Sequence, residues 1–270
     1  MTTLTKLANK YNSDKGTIHR EAHAYSIIYD LLFKMRSSEQ LTIAEFGLQT
    51  GGPELLGSED RVTTDIPSAK MWMEYFPKTM VYGFDISDFS KFEAGAFKFM
   101  RVDCGDEEAL TRTVKDAPMF DIIIDDASHA SFHQQLTFIK LFPKLKPGGI
   151  YIIEDLHWQP PALEAELPKT VLTRHLFENL DAADSSILAQ RVCGFRREIG
   201  DVQLYSTDTL RALRKEYNLR NCVEPHQDDV QSSLPLWRLR RQKQKVKSIH
   251  GERAASSEAK LLVLQKMVEC

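Results

Sequence analysis

The residues best suited to chemistry fall in two short stretches. The first, Asp125-Asp126-Ala127-Ser128-His129, follows the apolar run Phe120 to Ile124. The second, Glu154-Asp155-Leu156-His157, follows Ile150 to Ile153. If the two runs are neighbouring strands, their ends lie about 4.8 Å apart, and Asp126, Glu154 and Asp155 converge on one small volume. Crowded carboxylates repel unless something positive joins them. An all-oxygen set suits a hard cation such as Mg2+, which keeps positions open for water or substrate oxygens. His129 stands three residues beyond Asp126, where it could take a proton near neutral pH, so His129 and Asp126 are the candidate catalytic pair. His133 and His157 are lesser candidates. A blander reading competes, because acids after strands often cap helices and a single histidine is usually a hydrogen-bonded surface group.

A second constellation lies upstream. Glu45-Phe46-Gly47-Leu48-Gln49-Thr50-Gly51-Gly52 reads as a strand running into a glycine turn, where missing side chains let backbone approach a nucleotide closely. Asp85, Asp103 and the Asp125-Asp126 pair each end a later apolar run. In a doubly wound sheet such ends share one rim, where ligands bind. Glu45, Gly47, Gly51, Asp85, Asp103 and Asp125 are therefore the candidate cofactor-binding residues. Asp85 stands 38 positions after Gly47, against roughly 20 in the dinucleotide pattern. The acidic segment Pro53 to Ser68, 16 residues long, reads as an insertion whose removal restores a spacing of ~22.

The elements that must position these residues are legible as a rhythm. Apolar runs at Leu41 to Phe46, Met80 to Phe84, Phe97 to Val102, Asp121 to Ile124 and Ile150 to Ile153 alternate with helix-length segments, among them Ala69 to Phe76 and Phe132 to Leu145. This predicts an α/β fold, a doubly wound and mostly parallel sheet covered on both faces. Residues 1–40 form an N-terminal helical cap, with Tyr25, Ile28, Tyr29, Leu32 and Phe33 at helical spacing and Asn12 to Gly16 a polar loop. Beyond the fifth run a helix is expected over Leu163 to Leu180, then strands at Gln190 to Phe195 and Val202 to Tyr205. The main domain spans 41–224. Residues 225–270 read as a basic linker, six Lys or Arg within Arg238 to Lys247, and a C-terminal helical tail carrying Leu261, Leu262, Leu264, Met267 and Val268. Self-association through that helix, giving a homo-oligomer, is one expectation. There is no internal repeat.

Composition limits the function classes. With 270 residues, 42% of them hydrophobic, the chain can bury a full-sized core. A net charge of −3 provides no global field for nucleic acid or an anionic membrane, so neither is expected as a partner. No apolar run approaches the roughly 18 residues of a spanning helix, and the first 16 residues are polar, so the chain reads as soluble and cytoplasmic. Cys104, Cys193, Cys222 and Cys270 lack paired spacing and read as free thiols.

On these residues the chain resembles the class I methyltransferases that use S-adenosylmethionine (SAM). More narrowly, it is similar to the metal-dependent sugar O-methyltransferases of macrolide biosynthesis. The resemblance runs from Leu7 to Tyr205. It rests on Asn12-Ser13-Asp14-Lys15-Gly16, the stretch Ser68 to Pro77, Tyr82-Gly83-Phe84-Asp85-Ile86, Asp125 to His129, and Pro147 to Leu156. It implies a Rossmann-like fold, Mg2+ held by Asp126, Glu154 and Asp155, and His129 as the base that deprotonates an acceptor hydroxyl. It further implies that Glu45, Gly47, Asp85 and Asp103 surround SAM, with Asp85 on the ribose and Asp103 near the adenine. The acceptor would be a small sugar-containing natural product of secondary metabolism. The Pro53 to Ser68 insertion departs from the family pattern. Three rival readings remain: a carboxylate or phenol acceptor, a nicotinamide-dependent oxidoreductase, and a SAM-binding partner module without turnover. The oxidoreductase is disfavoured because the turn lacks G-x-G-x-x-G spacing and leaves the carboxylate trio unused.

Overall fold

A computed structural model describes residues 2–181, 186–222 and 258–268. In chain order the elements are α1 (Leu4–Lys10), α2 (Tyr25–Phe33), β1 (Thr42–Phe46), α3 (Pro67–Tyr75), β2 (Met80–Asp85), β3 (Phe97–Arg101), α4 (Glu107–Lys115), β4 (Phe120–Asp125), α5 (Ser131–Leu141), β5 (Leu145–Ile153), α6 (Pro161–Glu166), α7 (Thr173–Glu178), α8 (Ile187–Cys193), β6 (Ile199–Ser206), α9 (Thr207–Arg220) and β7 (Ala259–Lys266). The seven strands form one sheet in the order β3-β2-β1-β4-β5-β7-β6. β3, β2, β1, β4 and β5 run parallel, and β7 pairs antiparallel with both β5 and β6. The doubly wound, mostly parallel sheet expected from the apolar runs is the observed architecture.

Strand alternation sorts the core into two layers. Ala44, Phe46, Ile123, Tyr151, Ile153, Leu262 and Leu264 face one cluster, which takes in Leu110 of α4, Leu136 and Phe138 of α5, Phe177 of α7 and Val192 of α8. Ile43, Ile122, Ile124, Ile152, Leu261 and Val263 face the other, with Leu4 and Leu7 of α1, Tyr25, Ile28 and Tyr29 of α2, Trp72 of α3 and Leu210 of α9. Both faces being covered explains the near-continuous apolar runs. The N-terminal helices pack as a cap on the second face. Among the described residues no helix is long and apolar enough to cross a membrane, and Cys104 and Cys222 are free thiols.

Three expectations are corrected. The helix predicted over Leu163 to Leu180 is two short ones, α6 and α7, because Pro168 pushes Leu167 into extended backbone at ψ 155°. Gln190 to Phe195 is not a strand: Ser186 Oγ accepts from Ala189 N and starts helix α8, which buries Ala189 and Val192. The C-terminal helical tail is strand β7, inserted between β5 and β6, with Ala259 to Leu264 buried. Residues 259–266 are thus part of the sheet rather than an appendage. The basic run Arg238 to Lys247 and Cys270 lie outside the described residues.

Candidate functional site

The strand order reverses between β1 and β4, the crevice where open α/β sheets bind ligands. The hydrogen-bond ladder continues past the strand ends: Gly47 N donates to Phe84 O (2.9 Å), Asp126 N to Phe46 O (2.8 Å), Val102 N to Asp85 O (3.0 Å) and Glu154 N to Asp125 O (3.0 Å). These bonds fix the residues after each strand along a single rim. A cavity of about 850 Å3 opens against it, lined by Gly47, Asp85, Asp103, Asp126, His129 and Asp155 among others. Gly47 has φ +84°, and a Cβ there would lie 2.0 Å from the Asp126 carbonyl oxygen. Only glycine lets the first turn pass so close to the rim.

Three residues expected at the cofactor do not line this cavity. Glu45 is wholly buried, accepts from Ser68 Oγ at 2.9 Å and lies 3.6 Å from Lys15 Nζ. Burial pushes its pKa up to about 7, against the opposing pull of Lys15 and Ser68. Asp125 ends inside β4, and Asp126 is the residue that emerges onto the rim. Burial raises Asp125 to about 8, and its Oδ2 has no hydrogen-bond partner among the described residues. Gly51 is left-handed at φ +109°, but its N–H is taken by Glu54 Oε1 at 3.1 Å.

The carboxylates after β4 and β5 do come together, and what joins them is an internal ammonium. Lys15, 1% exposed, places Nζ 2.5 Å from Asp126 Oδ2 and 3.0 Å from Glu154. Burial works to lower the Lys15 pKa, but Asp126, Glu154, Asp14 and Glu45 outweigh it and hold the ammonium charged well above its ordinary range. Burial likewise pushes Asp126 up to about 7, with Lys15 opposing. Glu154 also accepts from the Tyr29 hydroxyl, which donates to Oε1 at 2.6 Å. Among the described residues, the group of atoms able to hold a metal ion is that of Asp126, His129 and Asp155, all within 4.8 Å of one another. Two of the three expected carboxylates are therefore in this set, and His129 stands where Glu154 was expected.

His129 and Asp155 share a local peculiarity: both are left-handed, at φ +61° and +52°. For a non-glycine residue this costs about 1–3 kcal/mol, and such strain concentrates where function requires a particular aim. Asp155 accepts from Tyr25 OH at 2.7 Å, with Lys260 Nζ at 3.6 Å, His157 Nδ1 at 3.6 Å and His23 Nε2 at 3.7 Å. Strand β7 is what delivers Lys260, so the misread tail reaches the site directly. Burial lowers the His129 pKa more than Asp155 raises it, which leaves the ring neutral at pH 7. His129 Nδ1 is buried with no hydrogen-bond partner among the described residues, and the ring sits 5.4 Å from that of Trp158. A neutral imidazole with an unpartnered nitrogen is chemically able to bind a cation or receive a proton. His133 has a different role, its Nδ1 lying 2.6 Å from Ser128 Oγ.

Sequence reasoning missed Lys15, Tyr25, Tyr29 and Lys260. Lys15 was visible only as one member of the Asn12 to Gly16 stretch. The two tyrosines, four apart on one face of α2, were read as apolar body and not as hydroxyl.

The sheet, its crevice and the acidic rim are those of the class I methyltransferase fold. Comparison with known proteins narrows this. A mycinamicin VI 2''-O-methyltransferase of Micromonospora griseorubida is 33% identical over 156 residues, 57% of this chain and 36% of that protein. An L-olivosyl-oleandolide 3-O-methyltransferase of Streptomyces antibioticus is 29% identical over 245 residues, 84% of this chain and 59% of that protein. The solved MycE methyltransferase of mycinamycin biosynthesis, in complex with Mg, S-adenosylhomocysteine (SAH) and mycinamycin VI, superposes with a TM-score of 0.57 at 28% identity. That match covers 76% of this chain and 52% of MycE. The chain therefore spans only about a third to three fifths of these relatives' lengths. No family model matches it.

Proposed function

We propose that this protein is a SAM- and Mg2+-dependent O-methyltransferase acting on a hydroxyl of a sugar-containing natural product. The observation that carries the reading is the clustering of Asp126, His129 and Asp155 on the wall of the same cavity that Gly47, Asp85 and Asp103 line. The sugar O-methyltransferases similar to this chain, one of them solved with Mg and SAH, support it.

The donor set fits the groups. Two carboxylates beside an unpartnered imidazole suit a divalent cation, and the glycine turn beside an acidic rim suits an adenosine moiety. Mg2+ would be held by Asp126 and Asp155, while Glu154, its oxygens taken by Lys15 and Tyr29, holds the ammonium beside Asp126. Its charge would make a bound hydroxyl more acidic, while SAM supplies a methyl already activated for transfer. The chain's own residues do the remainder. Asp85 and Asp103 orient the nucleoside, and His129, neutral at pH 7, accepts the acceptor's proton at a ring nitrogen. Trp158, Leu163 and Leu167 give the acceptor side of the cavity an apolar wall that limits water.

The test is calorimetric titration with SAM, with and without Mg2+, alongside a methyl-transfer screen of glycosides. His129→Ala should lower transfer by roughly 10^2–10^4-fold while SAM affinity is kept. Full-rate methylation by chelator-treated protein would refute the metal role.

A further inference from the structure

We infer that segment 53–66 is an internal ligand of the cofactor site, and that a nucleotide cofactor enters by exchange with Arg61. The inference rests on the reading of Asp85 as the ribose-binding acid. A carboxylate offers about four acceptor directions. At Asp85, Oδ2 accepts from Leu48 N at 2.9 Å and from Arg61 Nη2 at 3.1 Å. Oδ1 accepts from Ser87 N at 2.8 Å and from Arg61 Nη2 at 3.3 Å. The Leu48 and Ser87 donors are backbone groups fixed by the fold. Only Arg61 can leave, and while it stays a ribose diol finds no free acceptor on this residue.

Arg61 is held by polar contacts and by the Phe89 ring, whose centroid lies 5.9 Å from the guanidinium carbon. Nη1 donates to Ser87 Oγ at 2.6 Å and Nη2 also donates to the Gln49 carbonyl, yet Nε is buried with no partner among the described residues. An unsatisfied buried donor weakens the hold of the docked side chain, as exchange requires. A second anchor lies a few residues away, where Glu54 Oε1 accepts from Gly51 N and Gly52 N at 3.1 and 2.9 Å. Glu54 and Arg61 both line the cavity. A Cβ on Gly52 would come within 2.7 Å of Glu54 Oε2 and 2.9 Å of Arg61 Nη1, so a glycine is what admits both. Of its apolar side chains Ile66, at the C-terminal end, is in the core, whereas Leu55, Leu56 and Val62 are 51%, 82% and 81% exposed. Its other ties include Ser87 Oγ to Glu59 O and Thr64 N to Gln49 Oε1 beside the cavity, and Arg101 to Asp60, Thr63 Oγ1 to Asp88 O and Lys91 Nζ to Thr63 O, which join residues outside the lining and survive the exchange. A polar group of the insertion thus occupies Asp85, which lines the cavity and is otherwise available to a cofactor.

The test uses SAH as the probe. By titration calorimetry Arg61→Ala should bind SAH about tenfold more tightly than the parent protein, ~1.4 kcal/mol, because no charge-assisted hydrogen bond has to be given up. In the unmodified protein, saturating SAH should accelerate trypsin cleavage after Arg61, read by mass spectrometry as the fragment ending there. Equal or weaker binding by Arg61→Ala, or cleavage at Arg61 that SAH leaves unchanged or slows, overturns the exchange alone. If SAH binds neither protein, the reading of the cavity as a SAM site falls and the exchange falls with it.

Discussion

Replacing Lys15 with methionine tests the site most sharply, because it removes a positive charge from among three carboxylates without leaving a void. The ammonium lies 2.5 Å from Asp126, 3.0 Å from Glu154 and 3.6 Å from Glu45. Breaking a buried ion pair from one side costs about 3–5 kcal/mol. Three pairs do not triple that cost, because the acids can protonate: Glu45 and Asp126 already titrate near 7 with Lys15 present, and without it they rise further. An acid whose folded pKa exceeds its unfolded value binds more protons when folded, so its contribution to stability falls as pH rises. The deficit of Lys15→Met should therefore be small at pH 5.5 and reach the full ~3–5 kcal/mol by pH 8.5. At 2–4 °C per kcal/mol this is a Tm loss of roughly 10 °C. Thermal unfolding of Lys15→Met, Glu154→Gln and the double variant at both pH values is the assay. Glu154→Gln should offset part of the Lys15→Met loss, a coupling of about 1–3 kcal/mol, and millimolar Mg2+ should restore part of the Tm in Lys15→Met through binding to the folded state. Strictly additive losses, or a Lys15→Met protein as stable as the parent at pH 8.5, would refute the reasoning.

Two further outcomes follow from the packing and the buried charge. Leu264 is fully buried between β5 and β6, paired with Tyr151 and Val202, so Leu264→Ala should cost about 2–5 kcal/mol; urea unfolding showing a loss below ~0.5 kcal/mol would argue against a C-terminal strand in the sheet. Asp125, pushed by burial to about 8, holds its proton in the folded state and loses it in the unfolded one across the interval from 3.8 to about 8. Stability from this group is present below 3.8 and lost as pH rises through about 8. The Tm of Asp125→Asn relative to the parent protein should accordingly climb between pH 6 and pH 9.5, and a pH-independent difference would count against the assignment.

What could be read from the sequence and what could not divides along a physical line. β1, β2, β3, β4 and β5 announce themselves because each apolar run is bounded, and because parallel strands buried on both faces need no alternation. Of the acids that follow them, Asp85, Asp103, Asp126 and Asp155 line one cavity, because a residue just past a strand end emerges at the rim, whereas Asp125 and Glu154 do not line it. β7 gave no such signal. Lys260-Leu261-Leu262-Val263-Leu264 is buried on both faces, so its pattern fits a strand and a helix equally, and periodicity alone decides nothing. At Gln190 to Phe195 the β-branched and aromatic residues favoured a strand, and a cap from Ser186 with packing of Ala189 and Val192 overrode them.

The partners of the acids were the least legible, because a partner is defined by distance in space and not by spacing along the chain. Lys15 is 111 residues from Asp126 and 139 from Glu154, and Arg61 is 24 from Asp85 inside a segment that looked merely inserted. The repulsion argument nevertheless predicted that something positive must stand among the carboxylates, and it assigned that whole task to a metal ion. Lys15 carries part of it. An ammonium shared by Asp126 and Glu154 leaves the acids assembled before any ion arrives, so a divalent cation would meet a cluster already organised, with Asp155 held separately by Tyr25 and Lys260. Assembly of the acids and capture of the ion are then distinct steps, one supplied by the fold and one left to the ligand.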